Sequence, residues 1–228
     1  MRKGLVVGGN SGIGKQFISD AENDDRFEDV VWLAPSVQDM DVRNRSSVSL
    51  FVRDHGPFDF LVYCAGVNTL QWIGEIHQSV VDDTFAVNVE GFIWLLDAHE
   101  RNHPGSSGSV VAISSDASRI AMRTSISYCS SKAALNMAVR VAARELAPRW
   151  QVNAVAPGII ADTPMTDYID RNVPDIRGWS AERAQSYERS MIPVGRRGTK
   201  AEIAHVMRDL LQSPGYLTGT IVEISGGK

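Results

Sequence analysis

Tyr128 and Lys132 stand four residues apart, just ahead of a segment, residues 133–146, that is rich in helix formers and holds no Gly or Pro. On a helix such a pair shares one face, one side chain above the other. An ammonium beside a phenol favours the phenolate, and a tyrosine with a lowered pKa passes protons at neutral pH, which an ordinary tyrosine does poorly. Ser115 closes an apolar run, residues 109–114, that reads as a buried strand, and its hydroxyl is placed to hold a substrate oxygen against Tyr128. Ser114 is the rival for that role. The chemistry of such a trio is proton transfer to or from an oxygen. The same Tyr–Lys spacing also describes an ordinary solvated helix face, so the surrounding elements must decide between the two.

An apolar run, residues 4–7, enters Gly8-Gly9-Asn10-Ser11-Gly12-Ile13-Gly14, and a helical segment, residues 15–21, follows. Strand, glycine loop and helix in that order place backbone N–H groups and a helix N-terminus under a phosphate. Glycines there allow positive φ and close approach of the backbone to the ligand. Further strands are expected at 30–34, 40–42, 58–63, 109–114, 150–156 and 220–224, with helices at 46–55, 79–98, 126–147 and 199–211. Only five residues, 35–39, separate the second strand from the third, too few for a crossover helix between parallel neighbours. That helix is therefore expected to be shortened or absent and the third strand irregular. The pattern predicts one α/β domain over 1–228: a Rossmann-type, doubly wound parallel sheet of about seven strands with helices on both faces. Gly8–Gly14, Ala65-Gly66, Ser115 and Pro157-Gly158 all follow strand ends, where ligands lie in such sheets.

Bulk properties narrow the class. The net charge of −4 gives no support to nucleic-acid binding. No apolar stretch is long enough to span a bilayer, and no room precedes the first strand for a signal peptide. Two cysteines, Cys64 and Cys129, make no disulfide framework, so a reduced, cytoplasmic setting is expected. Cys129, beside Tyr128, reads as a small packed residue rather than a nucleophile. No metal site is expected.

Together these residues resemble the short-chain dehydrogenase/reductase family over nearly the whole chain. Gly8-x-x-x-Gly12-Ile13-Gly14 is similar to its cofactor loop, Asp41-Val42 to the pair that meets the adenine, and Tyr63-Cys64-Ala65-Gly66 to its Asn-Asn-Ala-Gly. Asn88-Val89-Glu90-Gly91 resembles the Asn-bearing helix motif. Ser115, Tyr128 and Lys132 match the catalytic serine and Tyr-x-x-x-Lys, and their spacing favours Ser115 over Ser114. Pro157-Gly158, Ile160 and Thr163 fall in the segment that contacts the nicotinamide end. The resemblance implies hydride transfer between nicotinamide and a carbonyl or alcohol carbon. Tyr128 would be the proton donor and acceptor. Lys132 would lower the Tyr128 pKa and bind ribose hydroxyls, Ser115 would bond the substrate oxygen, and Asn88 would support a relay water. Cofactor contacts would fall on Gly8, Asn10, Ser11, Gly12, Ile13, Gly14, Asp41, Val42, Cys64, Ala65, Gly66, Tyr128, Lys132, Pro157, Gly158, Ile160 and Thr163.

After the second strand an acidic residue would favour NAD and an arginine NADP. This chain has Leu33-Ala34-Pro35-Ser36. The absence of a basic residue gives a slight lean to NAD; Arg2, Lys3 and Lys15 are the cations that would argue for NADP. By resemblance, residues 163–198 form a substrate lid. Its charges nearly cancel, so the count does not indicate an anionic substrate. Trp179, Tyr187 and Met191 serve either as a pocket wall or as lid packing, and Gln71 and Trp72 also fall near the pocket. A homodimer or homotetramer built on the two long helices is expected from the resemblance. A dinucleotide-binding regulatory or signalling protein with little turnover is the alternative, and an epimerase or dehydratase on the same scaffold a third.

Overall fold

Near-continuous apolar runs mark strands covered on both faces, and the computed structural model, which describes residues 1–228, has that architecture. In chain order the elements are β1 (Arg2–Val7), α1 (Gly12–Ala21), β2 (Val30–Leu33), α2 (Arg45–His55), β3 (Phe60–Tyr63), α3 (Gln78–Phe85), α4 (Gly91–Asn102), β4 (Gly108–Ile113), α5 (Ile126–Leu146), β5 (Trp150–Pro157), α6 (Pro164–Arg177), α7 (Ala181–Ser190), α8 (Lys200–Leu211) and β6 (Ile221–Ile224). The strands form one parallel sheet in the order β2-β1-β3-β4-β5-β6. No helix is long and apolar enough to cross a membrane.

Successive side chains leave a strand on opposite faces. Leu5, Val7, Leu61, Tyr63, Val110 and Ala112 face the layer made by α2, α4 and α5, where Val48, Val52, Phe92, Leu95, Leu135 and Val139 meet them. Val6, Phe60, Val62, Val111 and Val155 face α1 and α8, against Phe17, Ala21, Ile203 and Met207. Two ion pairs tie the residues after α1 to α8: Arg26 to Asp209 at 2.8 Å and Arg208 to Asp24 at 2.6 Å.

The sheet has six strands, not about seven. The expected strand at 40–42 is a loop because its backbone groups are spent locally. The Asp39 and Met40 amides both donate to the Ser36 carbonyl, at 3.1 and 2.9 Å. The Arg43 amide donates to the Asp41 carboxylate at 3.0 Å. With no strand at 40–42, the helix expected to be shortened or absent between the second and third strands is present: α2, Arg45–His55, carries the chain from β2 to β3. A second difference lies in the segment expected as one helix over 79–98. It is broken between α3 and α4 by a π-turn, Ala86–Glu90, and Asn88 sits within it.

Candidate active site

From β1 the chain crosses to β2 on one side, then returns past β1 to β3 on the other. The gap beyond the carboxyl ends of β1 and β3 is therefore a topological switch point, where this class of sheet opens a crevice. Gly8 and Cys64 leave the two strands there. Gly8 has φ +79°, and a Cβ on it would meet the Ala65 nitrogen at 2.8 Å; one on Gly14 would meet the Gly8 oxygen at 2.4 Å. Only bare backbone fits, so the loop lies flat on the end of β3. α1 starts at Gly12, and its N-cap Ser11 makes no side-chain cap bond. The first amides of the helix are left for a ligand.

The crevice is a cleft of about 590 Å³, within the usual range for small-molecule sites. Gly8 and Asn10 to Gly14 form its floor, and Asp41 and Val42 one end. Cys64, Ala65 and Gly66 line the β3 side, and Ser115, Tyr128 and Lys132 rise from β4 and α5. Pro157, Gly158, Ile160 and Thr163 make the opposite wall. Asn10 is fixed by its Nδ2 donating to the Pro35 carbonyl at 3.1 Å. Thr163 caps α6, its Oγ1 accepting from the Thr166 amide at 3.1 Å. Burial pushes the Cys64 thiol up to about 12, so it stays a neutral wall residue rather than a thiolate.

Asn88 does not line the cleft. Its Oδ1 accepts from the Val67 amide at 2.8 Å, and its Nδ2 donates to the Val67 carbonyl at 3.0 Å and to Ser131 Oγ at 2.9 Å. With these bonds it pins the loop after β3 to α5 at Ser131, the residue before Lys132.

Tyr128 and Lys132 share the buried face of α5, as their spacing requires. The Lys132 ammonium donates to the Ile113 carbonyl at 2.8 Å and lies 5.7 Å from the centre of the Tyr128 ring. Burial pushes Lys132 down to about 8. Burial likewise pushes the Tyr128 phenol up to about 12, with Ser115 pulling the other way. This is the reverse of the lowering expected from Lys132: desolvation of the phenolate dominates, and the ammonium is aimed at the Ile113 carbonyl. Ser114 and Ser115 both line the cleft and differ in their hydrogen-bond partners. Ser115 Oγ accepts from the Ala117 amide at 3.1 Å and donates to Asp116 Oδ1 at 3.2 Å, whereas Ser114 Oγ is turned to the Lys132 carbonyl.

Three neighbours went unseen in the sequence. The Asp116 carboxylate, next to Ser115, is fully buried and meets the Lys228 ammonium at 3.0 Å. A pair so distant along the chain leaves no local signal. Asn68, whose buried Oδ1 has no partner, stands where the cleft joins a second cavity of about 200 Å³ under α6 and α7. Trp179, Tyr187 and Met191 line that cavity. Gln71 and Trp72 stand outside it, and the Trp72 Nε1 donates to the Ile176 carbonyl at 2.9 Å.

The cleft suits a dinucleotide: a cradle that admits no Cβ, free helix-terminal amides and a buried ammonium beside an apolar wall. Comparisons with known proteins agree. A family model described as enoyl-(acyl carrier protein) reductase matches residues 18–228. An L-xylulose reductase of Caenorhabditis elegans is 31% identical, over 98% of this chain and 94% of its own. A (3R)-3-hydroxyacyl-CoA dehydrogenase of Rattus norvegicus is 32% identical over 75% of this chain and 63% of its own. Among solved structures, a protein from Francisella tularensis superposes with a TM-score of 0.86 at 25% identity, covering 99% of this chain and 98% of the other.

Proposed function

The chain belongs to the short-chain dehydrogenase/reductase family and is an NAD(P)-dependent oxidoreductase that interconverts an alcohol and a carbonyl, and from that premise we propose that Tyr128 is its proton donor and acceptor. The observation that carries the assignment is the placing of the Tyr128 phenol, Ser115 hydroxyl and Lys132 ammonium in the wall of one cleft. A bound nicotinamide supplies the hydride. Ser115 orients the substrate oxygen, and Tyr128 gives that oxygen its proton during reduction and takes one back during oxidation. The phenol is protonated throughout the neutral range, so it holds the proton that reduction consumes. Lys132, buried and cationic below pH about 8, favours charge developing on that oxygen. Asn88 acts on the reaction by holding the loop after β3 in place. Its polar atoms are engaged, so it shapes the wall instead of touching the reacting groups.

The loop Gly8–Gly14 and the first turn of α1 would hold the pyrophosphate, Asp41 and Val42 the adenine end, Lys132 the nicotinamide ribose, and Pro157, Gly158, Ile160 and Thr163 the nicotinamide side. Cys64, Ala65 and Gly66 would back the ribose. NADH is preferred over NADPH on the same reading. Pro35 and Val37 line the cleft beyond β2 without charge, and the nearest lining cation, Arg43, is paired with Asp41 at 2.9 Å and Asp83 at 3.4 Å. Arg2, at the start of β1, is paired with Asp29, and the Lys3 Nζ donates to the His55 carbonyl at 2.9 Å, so neither serves a 2′-phosphate. Residues 163–198 act as the lid over the substrate, which enters an apolar chamber. The protein works in the cytoplasm as a homo-oligomer paired through α4 and α5, where Ile93, Met137 and Val141 are exposed.

Titration with NADH and NADPH, followed by a carbonyl screen with the tighter cofactor, tests this. Saturable binding and carbonyl-dependent oxidation that Tyr128→Phe abolishes are expected. Clearly tighter NADPH binding would overturn the cofactor preference. Binding without turnover of any carbonyl or alcohol would favour a sensor of the cofactor.

A further inference from the structure

Two cations in the wall of the chamber under α6 and α7 have no acid bonded to them, because the wall's acids are bonded elsewhere. Asp170 and Glu188 lie in its wall, and Arg197 bonds both: Asp170 at 2.6 and 2.8 Å, Glu188 at 2.5 and 2.7 Å. Lys228, also in the wall, is paired with Asp116, which lines the neighbouring cleft. Two cations of the same wall, Arg123 and Arg177, enter none of the molecule's ion pairs.

Arg177 is also held in one orientation. Its guanidinium stacks on Trp179, 5.2 Å from the ring centre, and its Nη2 donates to the Arg123 carbonyl at 3.3 Å. The Arg123 guanidinium rests over Trp72 at 5.8 Å. Arg177 Nε is shut off from solvent and has no acceptor. A guanidinium carries five N–H groups in a fixed fork that fits a carboxylate with two parallel bonds. Arg177 spends one of them on a long bond to a backbone oxygen. A planar cation that lines the chamber, fixed by an aromatic face and paired with no carboxylate, is the arrangement that recognises an anion.

The path to the reacting groups is continuous. Asn68, Met122, Ile159 and Ile169 line both the chamber and the cleft holding Tyr128. Between Arg177 and that junction the wall is apolar, with Leu70, Ile120 and Val173. We propose that Arg177 is the recognition residue for a carboxylate on the substrate, so that the enzyme acts on oxo-acids or hydroxy-acids whose carboxylate is separated from the reacting carbon by an apolar spacer. The reacting carbon in this proposal rests on the oxidoreductase reading; the carboxylate rests on the surroundings of Arg177 alone.

Binding and turnover test the two parts separately. Calorimetric titration of the full chain with hexanoate and with hexanamide, neither of which can be reduced at a ketone, is expected to show the acid binding about tenfold tighter or more. Arg177→Gln is expected to bring the acid down to the amide, while Arg177→Lys, which keeps the charge without the fork, retains part of the preference. Thermal melts of both variants confirm that they are folded. In turnover, levulinate and longer oxo-acids are each compared with their methyl esters, and the best acid is expected to exceed its ester about tenfold or more in kcat/KM. Equal binding of hexanoate and hexanamide, or hexanoate binding untouched by Arg177→Gln, overturns the carboxylate site. Ester turnover without any acid preference overturns it as well and leaves the oxidoreductase reading standing. Hexanoate selectivity in a protein that reduces no carbonyl supports the anion site and sinks the oxidoreductase reading instead.

Discussion

Lys132 shows how a reactive group sits at odds with the stability of its fold. Its ammonium is buried, and burial lowers its pKa from the ordinary lysine value to about 8. At pH 7 the charged form is therefore disfavoured in the folded state by about 3 kcal/mol relative to the unfolded chain. Lys132→Met is expected to abolish turnover and yet raise the melting temperature at pH 7. The penalty is relieved as the solution becomes alkaline: between about pH 8 and the unfolded lysine value the unfolded chain holds more protons, so the wild type gains stability and the variant's advantage shrinks. Melting curves across that window check it; an advantage independent of pH would mean that desolvation of the charge is not its source. The Asp116–Lys228 pair behaves differently. Removing one partner strands a buried charge, so Lys228→Met is expected to cost about 3–5 kcal/mol, whereas Asp116→Asn with Lys228→Met is expected to come close to wild type. Chemical denaturation of the single and double variants measures the difference. Tyr128→Phe removes only a hydroxyl and is expected to leave the fold and dinucleotide affinity intact while carbonyl reduction falls by at least about 1,000-fold.

At the scale of the element, the π-turn Ala86–Glu90 between α3 and α4 does the positioning that the sequence hid. The apolar spacing of 79–98 suits one continuous helix, and a helical reading locates Asn88 without saying that the turn widens there. The widening lets the Val87 carbonyl accept from Tyr63 Oη at 2.6 Å and turns Asn88 toward Val67 and Ser131. Gly91 matters for the same reason. A Cβ on it would meet Tyr63 Oη at 2.3 Å and Val42 Cβ at 2.8 Å. Gly91→Ala is expected to lower stability by about 1–3 kcal/mol and to weaken dinucleotide binding by disturbing Val42; a melt and a cofactor titration read the two effects. The strand reading at 40–42 went wrong for a related reason. A three-residue apolar edge carries little periodicity, and side-chain acceptors at Asp39, Asp41 and Ser47, with the Ser36 carbonyl, made a loop the better home for those backbone groups. By contrast α5 was legible in full, since its register follows from residue types alone.

For the molecule as a whole, the legible part was whatever the sheet dictates. The strands, their parallel order of burial, and the convergence of Gly8, Cys64, Ser115 and Pro157 at one edge all follow from local pattern and a single topological rule. Charge did not yield to the same treatment. The acids and arginines of residues 163–198 cancel on paper, but Arg197 takes two acids and leaves Arg177 none, and only the tertiary structure decides such pairings. The pairing between copies proposed above is tested at the same scale. Met137, 57% exposed on α5, is expected to lie in the contact, and Met137→Glu is expected to shift the light-scattering mass toward that of one chain; an unchanged mass would place the contact elsewhere. The packing of α1 against α8 has a consequence for how the protein is made. Phe17 and Ala21 are seated by a helix that ends at Leu211, so on the ribosome they wait roughly 10–40 s, at about 5–20 residues per second, before their cover has been synthesised. During that interval the nascent chain presents a greasy, unfinished layer to the cell, the kind of exposed apolar surface that factors sheltering emerging polypeptides bind.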